Sequence, residues 1–247
     1  MESLIFLVLG LIIGSFLNVC IYRLPRKISI VSPYSFCPFC DKPIKPWHNI
    51  PVLSFLLLQG KCAYCKARIP VRYPVVEILN GIFYLLAYLK FGLILQLPFI
   101  LIFISALLVL SFIDIEFQII PDAISIPLIV LGMMISLLPS CSSNIASNIV
   151  ESLTGIVVGS GSLLLVSIIS RGGMGGGDIK LNGAVGAFLG WKFALLTVFI
   201  GSLIGSIAGV VILKKTKNRK IPFGPFLSLG AIICLFFGER ILKWYFK

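Results

Sequence analysis

Carboxylates at membrane depth are the first candidates for chemistry in this 247-residue chain. Only nine acidic residues are present, and Asp114, Glu116, Asp122 and Asp178 all adjoin strongly apolar runs. An ionisable group held in or beside lipid is expensive and is a functional candidate by default. Asp114 ends a long apolar stretch, in Ser111-Phe-Ile-Asp114. Asp178 ends the run Gly172-Gly-Met-Gly-Gly-Gly-Asp178, whose missing side chains would let an extended substrate backbone come close. Two such carboxylates suit acid–base hydrolysis. The next reading is a carboxylate-dependent membrane transporter, which places charge at broken helices. Structural roles compete. Asp178 can N-cap the helix that follows, Asp122 after Pro121 is read as such a cap, and Asp114 can be a juxtamembrane charge facing water. Glu2 and Glu239 fall at span ends, Glu151 opens a helix, and Glu77 sits just inside the second span.

The second set is Cys37-Pro-Phe-Cys40 and Cys62-Ala-Tyr-Cys65. Each CxxC supplies two thiolates from one tight turn, and two turns complete a tetrahedron, so the four cysteines are expected to hold Zn²⁺. Four cysteines leave no open coordination position, which makes the metal structural. Disulfides fit less well, because the surrounding basic loop is expected in a reducing compartment. Cys20, Cys141 and Cys234 read as small hydrophobes. The single His48 lies in no HExxH motif, which argues against a metalloprotease.

The elements that must position these groups follow from composition. The hydrophobic fraction is 58% and the charged fraction 12%, and the mean hydropathy is +1.07. Half the usual charge cannot wet a soluble globule. Disorder requires low hydrophobicity, and seven cysteines are few for a disulfide scaffold of this length. The expected fold is an all-α polytopic membrane protein. Eight apolar runs, Leu4–Cys20, Val75–Leu89, Leu93–Ile113, Ala123–Leu138, Leu153–Ser170, Leu181–Leu189, Phe193–Leu213 and Phe223–Gly238, predict six to eight transmembrane helices, with eight preferred. Met1-Glu2-Ser3 lacks the positive charge of a cleavable signal. The division expected is 1–22 as first transmembrane helix, 23–72 as a small cytoplasmic zinc-binding loop domain, and 73–247 as the transmembrane core. Basic residues set orientation. Nine Lys/Arg lie in 23–72, two in 171–180 and five in Lys214–Lys220. With the N-terminus outside, these stretches share the cytoplasmic face, while Lys90, Lys192, Arg240, Lys243 and Lys247 lie opposite. The net charge of +12 is thus a topology signal, and nucleic acid is not an expected partner. Gly155/Gly159 and Gly201/Gly205/Gly209 form small-residue stripes suited to close helix packing in lipid.

The ordered set Asp114 … Ile120-Pro121-Asp122 and Gly175-Gly176-Gly177-Asp178 resembles the prepilin peptidases, or type IV leader peptidases, of the GxGD membrane aspartyl protease class. The likeness extends to Gly14-Ser-Phe-Leu-Asn-Val-Cys-Ile-Tyr-Arg-Leu-Pro25, the paired CxxC loop with Asn49-Ile-Pro-Val-Leu-Ser54 and Arg72-Tyr-Pro-Val-Val-Glu77, Gly173–Leu181, and Ile221-Pro-Phe-Gly-Pro-Phe226. It spans nearly the whole chain. The resemblance implies an endopeptidase in a bacterial inner membrane that removes the basic leader from prepilins or pseudopilins on the cytoplasmic side. It implies Asp114 and Asp178 as the catalytic pair; from the residues alone, Glu116 and Asp122 are second choices. It further implies possible N-methylation of the new N-terminus with S-adenosylmethionine, for which no residue marks the site. Other readings are a GxGD protease cutting within transmembrane helices, against which the cysteine loop argues, and an inactive zinc-loop scaffold of the secretion machinery.

Overall fold

All eight apolar runs lie largely in helices, because lipid leaves backbone N–H and C=O groups no partner but one another. The computed structural model describes residues 1–32, 34–139, 144–215 and 221–245, with only the backbone described over 212–215. Cys141, Lys247 and the 216–220 part of the basic Lys214–Lys220 loop lie outside the described residues. The helices are α1 (Glu2–Arg23), α2 (Leu53–Leu57), α3 (Arg72–Phe91), α4 (Leu97–Phe117), α5 (Asp122–Ile135), α6 (Ile149–Ile169), α7 (Gly176–Leu189), α8 (Trp191–Lys215) and α9 (Gly224–Tyr245). Among the described residues there is no β-strand; two isolated bridges occur in the polar loop.

Among the described residues, six helices, α1, α3, α4, α6, α8 and α9, are long and apolar enough to cross a membrane. The chain is therefore an all-α polytopic membrane protein. The other two apolar runs of the expected six to eight spans fall in the shorter helices α5 and α7. α5 and α7 have 14 residues each, a rise of about 21 Å against a bilayer core of roughly 30 Å. Their short length is set by breakers: Pro121 precedes α5, and Gly190 with φ 81° ends α7.

The chain divides into two units, Met1–Leu93 and Ile94–Lys247. In the first, α1 and α3 form an antiparallel hairpin enclosing the polar loop. The ring of Phe6 stacks on Tyr88 with centroids 4.6 Å apart, Asn80 Nδ2 donates to the Gly10 carbonyl at 2.7 Å, and Asn18 Nδ2 donates to the Tyr73 carbonyl at 3.1 Å. Close approach depends on glycine: a Cβ at Gly14 would stand 2.7 Å from the Glu77 Cα.

In the second unit, α4 and α7 carry much of the core. Phe103, Ile104, Leu107, Leu110 and Ile113 of α4 are fully buried, as are Leu181, Ala184, Val185 and Ala187 of α7. α7 packs against α5, α6, α8 and α9. The Gly155/Gly159 stripe works as expected. Gly155 lies against the Gly186 backbone, and a Cβ at Gly159 would stand 2.7 Å from the Asn182 carbonyl. Gly201 likewise faces the Phe226 backbone of α9.

Candidate active site and metal centre

Asp114 and Asp178 lie at matching ends of two antiparallel helices. Phe103 of α4 stacks on Phe188 of α7 with centroids 4.3 Å apart. Asp114 is eleven residues further along α4 and Asp178 ten residues back along α7, nearly equal rises of about 15–17 Å at 1.5 Å per residue. The two carboxyls are close enough to interact electrostatically.

Asp114 is buried, and its Oδ2 accepts a hydrogen bond from the Gly224 backbone N–H at 2.9 Å. Gly224 opens α9, so α9 aims its first N–H group at the carboxylate, a favourable place for negative charge. A Cβ at position 224 would stand 2.8 Å from that same oxygen. Asp178 sits in the first turn of α7, with Oδ1 buried and without a hydrogen-bond partner. Burial, and then the charge of Asp114, push the Asp178 carboxyl up to about 7. The two carboxyls disfavour each other's charge, as neighbouring carboxyls do.

Ile120 joins the two helix N-termini. A Cβ at Gly177 would stand 2.7 Å from the Ile120 Cβ, and one at Gly224 would stand 3.2 Å from its Cδ1. The side chain fills the space beside the aspartates that both glycines leave. Not every glycine of the run before Asp178 packs this way: Gly172 and Gly176 face open space.

The remaining candidates separate from the pair. Glu116 is exposed. Asp122 does not cap α5, contrary to the expectation from Pro121-Asp122. Pro121 is the N-cap residue and no side chain caps the helix. Asp122 begins α5, and both its oxygens accept from Lys180 Nζ at 2.7 Å. A partner 58 positions away in sequence competed with the local cap. Asp178 is no cap either, since Gly175 occupies that position. Glu151 does open α6: its N–H donates to Asn148 Oδ1 at 2.8 Å, and its Oε2 accepts from the Ser147 N–H at 2.8 Å.

In the loop of the first unit, the Sγ atoms of Cys37, Cys40, Cys62 and Cys65 all lie within 4.8 Å of one another, so these residues can hold a metal ion. The Cys37–Cys65 sulfur separation is 3.8 Å, about the edge of a tetrahedron with metal–sulfur bonds of about 2.3 Å. The two turns repeat each other. Cys37 N–H donates to Lys42 O at 3.0 Å and Cys62 N–H to Ala67 O at 2.8 Å; Ile44 N–H donates to Ser35 O and Ile69 N–H to Gly60 O, both at 2.8 Å. Asp41 and Lys66 hold matching left-handed φ values of 54° and 61°. Backbone N–H groups of Cys65 and Tyr64, then neighbouring thiols, draw the Cys62 thiol down to about 6. Arg23 fastens the start of the loop, donating from Nη1 to Ser29 O at 2.9 Å.

Two family models match the chain: the Bacterial Peptidase A24 N-terminal domain over residues 8–91 and the Type IV leader peptidase family over residues 101–210. A protein of Stutzerimonas stutzeri named prepilin leader peptidase/N-methyltransferase is 35% identical, over 98% of this chain and 92% of its own length. The chain belongs to the type IV leader peptidase family. Proteins with the same name from Pseudomonas aeruginosa (34% identical, 98% of this chain and 92% of theirs) and Bacillus subtilis (35%, 100% and 98%) share this likeness. No solved structure matches. Within a leader peptidase, Ile120, the Gly224 N–H and the Lys180–Asp122 pair are features that residue types alone did not reveal. Ile221-Pro-Phe-Gly-Pro-Phe226 stood out as a motif, but a backbone donor has no side-chain signature.

Proposed function

We propose that this leader peptidase cleaves the basic leader from type IV prepilins or pseudopilins at the cytoplasmic face of a bacterial inner membrane, with Asp114 and Asp178 as its catalytic pair. The observation that carries the reading is the pair itself: one buried carboxyl held by an N–H donor, beside a second whose Oδ1 is buried and whose pKa burial and the first carboxyl raise. An N–H can only donate, so it accommodates Asp114 as a carboxylate and hence as general base. Asp114 takes a proton from water while the hydroxide adds to the scissile carbonyl carbon. Protonated Asp178 gives its proton to the carbonyl oxygen. On collapse, the diol returns a proton to Asp178, the C–N bond breaks, and Asp114 passes its proton to the leaving amine. Both carboxyls end as they began.

The four cysteines are assigned to Zn²⁺. When bound, it closes the two turns into one unit and leaves no open position for catalysis. N-methylation of the new amine, with S-adenosylmethionine as donor, is part of the proposed activity. None of the described residues marks where that donor binds. The deciding experiment is mass spectrometry of a prepilin incubated with the purified protein, with and without S-adenosylmethionine. The expected result is a leader-length mass loss, plus one methyl increment with the donor. An unchanged mass overturns the peptidase reading.

A further inference from the structure

The polar loop carries an apolar stripe that its metal site does not use. Leu53, Leu56 and Leu57 of α2 are 57%, 64% and 80% exposed, and their spacing puts them on one side of the helix. The opposite side is tied inward. Ser54 is buried; its hydroxyl donates to the Trp47 carbonyl at 3.0 Å and accepts from the Ile50 N–H at 2.9 Å. Trp47 is itself 59% exposed, with Lys45 Nζ 5.3 Å from its ring centroid.

The depth of α2 is fixed by one bond. The N–H of Val52, the residue before α2, donates to Glu77 Oε2 at 2.7 Å. Glu77 is in the second turn of the α3 span and packs on Gly14 of α1. Gly14 lies six residues inside the end of the apolar run Leu4–Cys20, a rise of about 9 Å. α2 therefore starts at the level of the span's end, not out in the aqueous loop. The 23–72 segment around it holds nine Lys/Arg against the single acid Asp41, which complements an anionic lipid surface.

We infer that α2 is an interfacial anchor, with Leu53, Leu56 and Leu57 inserted into the adjoining leaflet and Lys45 and Lys61 on anionic headgroups of the same bilayer. An apolar face with a cationic rim, buried a few ångströms into the acyl boundary, is how such helices bind. The cationic rim makes a poor seat for a basic leader, which favours lipid over substrate as the occupant. The inference rests on the membrane placement of the hairpin, not on the proposed reaction.

The test uses the full chain with its three tryptophans replaced (W47F/W191F/W244F) and one probe added, L57W or, in a second protein, L56W. Each is reconstituted in bilayers of bromine-labelled phosphatidylcholine with phosphatidylglycerol. The expected result is that the acyl bromines remove roughly half the emission while aqueous acrylamide has little access. The K45E/K61E change, or omission of phosphatidylglycerol, should weaken bromine quenching. Full acrylamide quenching with no bromine effect in both probe proteins overturns the inference. So does protection from acrylamide that appears only when prepilin is added, which would make the stripe a substrate seat. Neither readout requires turnover, so failure of the peptidase reading leaves this test intact.

Discussion

The four thiols of the loop and the two carboxylates of the bundle are assembled over different stretches of chain. Cys37 and Cys65 are 28 positions apart, and each pair of ligands is shaped by its own turn, with Asp41 and Lys66 supplying matching left-handed corners. Asp114 and Asp178 come from separate helices, and the donor that holds Asp114 is 110 positions further on. Local turns can preorganise thiols without a large core. The carboxylates need helix packing, relayed through Phe103–Phe188, Gly177 and Ile120. The first centre should thus fail by losing its ion, the second by losing its rate.

The largest effect is expected from Asp178→Asn or Asp114→Asn. Either removes a group that must exchange protons, so prepilin cleavage should fall by about 10³-fold or more, while metal content stays at one ion per chain. Wild-type cleavage by either variant would discard the pair. The converse change is Cys62→Ser. It removes one of the four thiolate ligands, and metal affinity measured by competition with a chelator should weaken by at least about a hundredfold. Undiminished affinity would remove Cys62 from the site.

Gly224→Ala tests the long-range half of the comparison without touching a carboxyl. Its Cβ would stand 2.8 Å from Asp114 Oδ2, so the carboxylate must leave its N–H donor. Misplacement on this scale costs up to about 10²-fold in rate, and the loss should appear in kcat with KM held. A Gly224→Ala enzyme with normal kcat would mean that the N–H is dispensable. The protons give a smaller handle. The Asp178 carboxyl sits near 7, raised by burial and then by Asp114. As the proposed acid it is competent below that value. Cleavage should therefore decline as pH rises through about 7, approaching tenfold per further unit. A rate flat to pH 9 would deny Asp178 that role.

The same contrast explains what could be read without the fold. Cys37, Cys40, Cys62 and Cys65 announced themselves because residue type and spacing are all that a four-thiol site requires. Apolar runs announced the helices, but not how Pro121 and Gly190 limit α5 and α7 to 14 residues each. Scarcity of charge narrowed the carboxylates to a few, and the family pattern chose between them. Ile120 stood in that pattern with no role attached, because its importance lies in a shape shared with two glycines. Asp122 was misread as a cap because Lys180 is adjacent only in the folded chain.

That ion pair gives the smallest expected effect. Lys180, two residues beyond Asp178 in the second turn of α7, pairs at 2.7 Å with Asp122 in the first turn of α5, so Lys180→Ala could be thought to release the turn that carries Asp178. Both side chains are well exposed, at 44% and 54%, and such pairs contribute roughly 0.2–1 kcal/mol. α7 also has firmer restraints: Gly177 against Ile120, Phe188 on Phe103, and the Asn182 side chain on the Gly159 carbonyl at 2.9 Å. Lys180→Ala should therefore lower kcat by no more than about fivefold, with part of that difference disappearing at high salt in the wild type as well. A loss as large as that of Asp178→Asn would show that Lys180 acts on the reaction itself, and the aspartate centre would then comprise three ionisable residues instead of two.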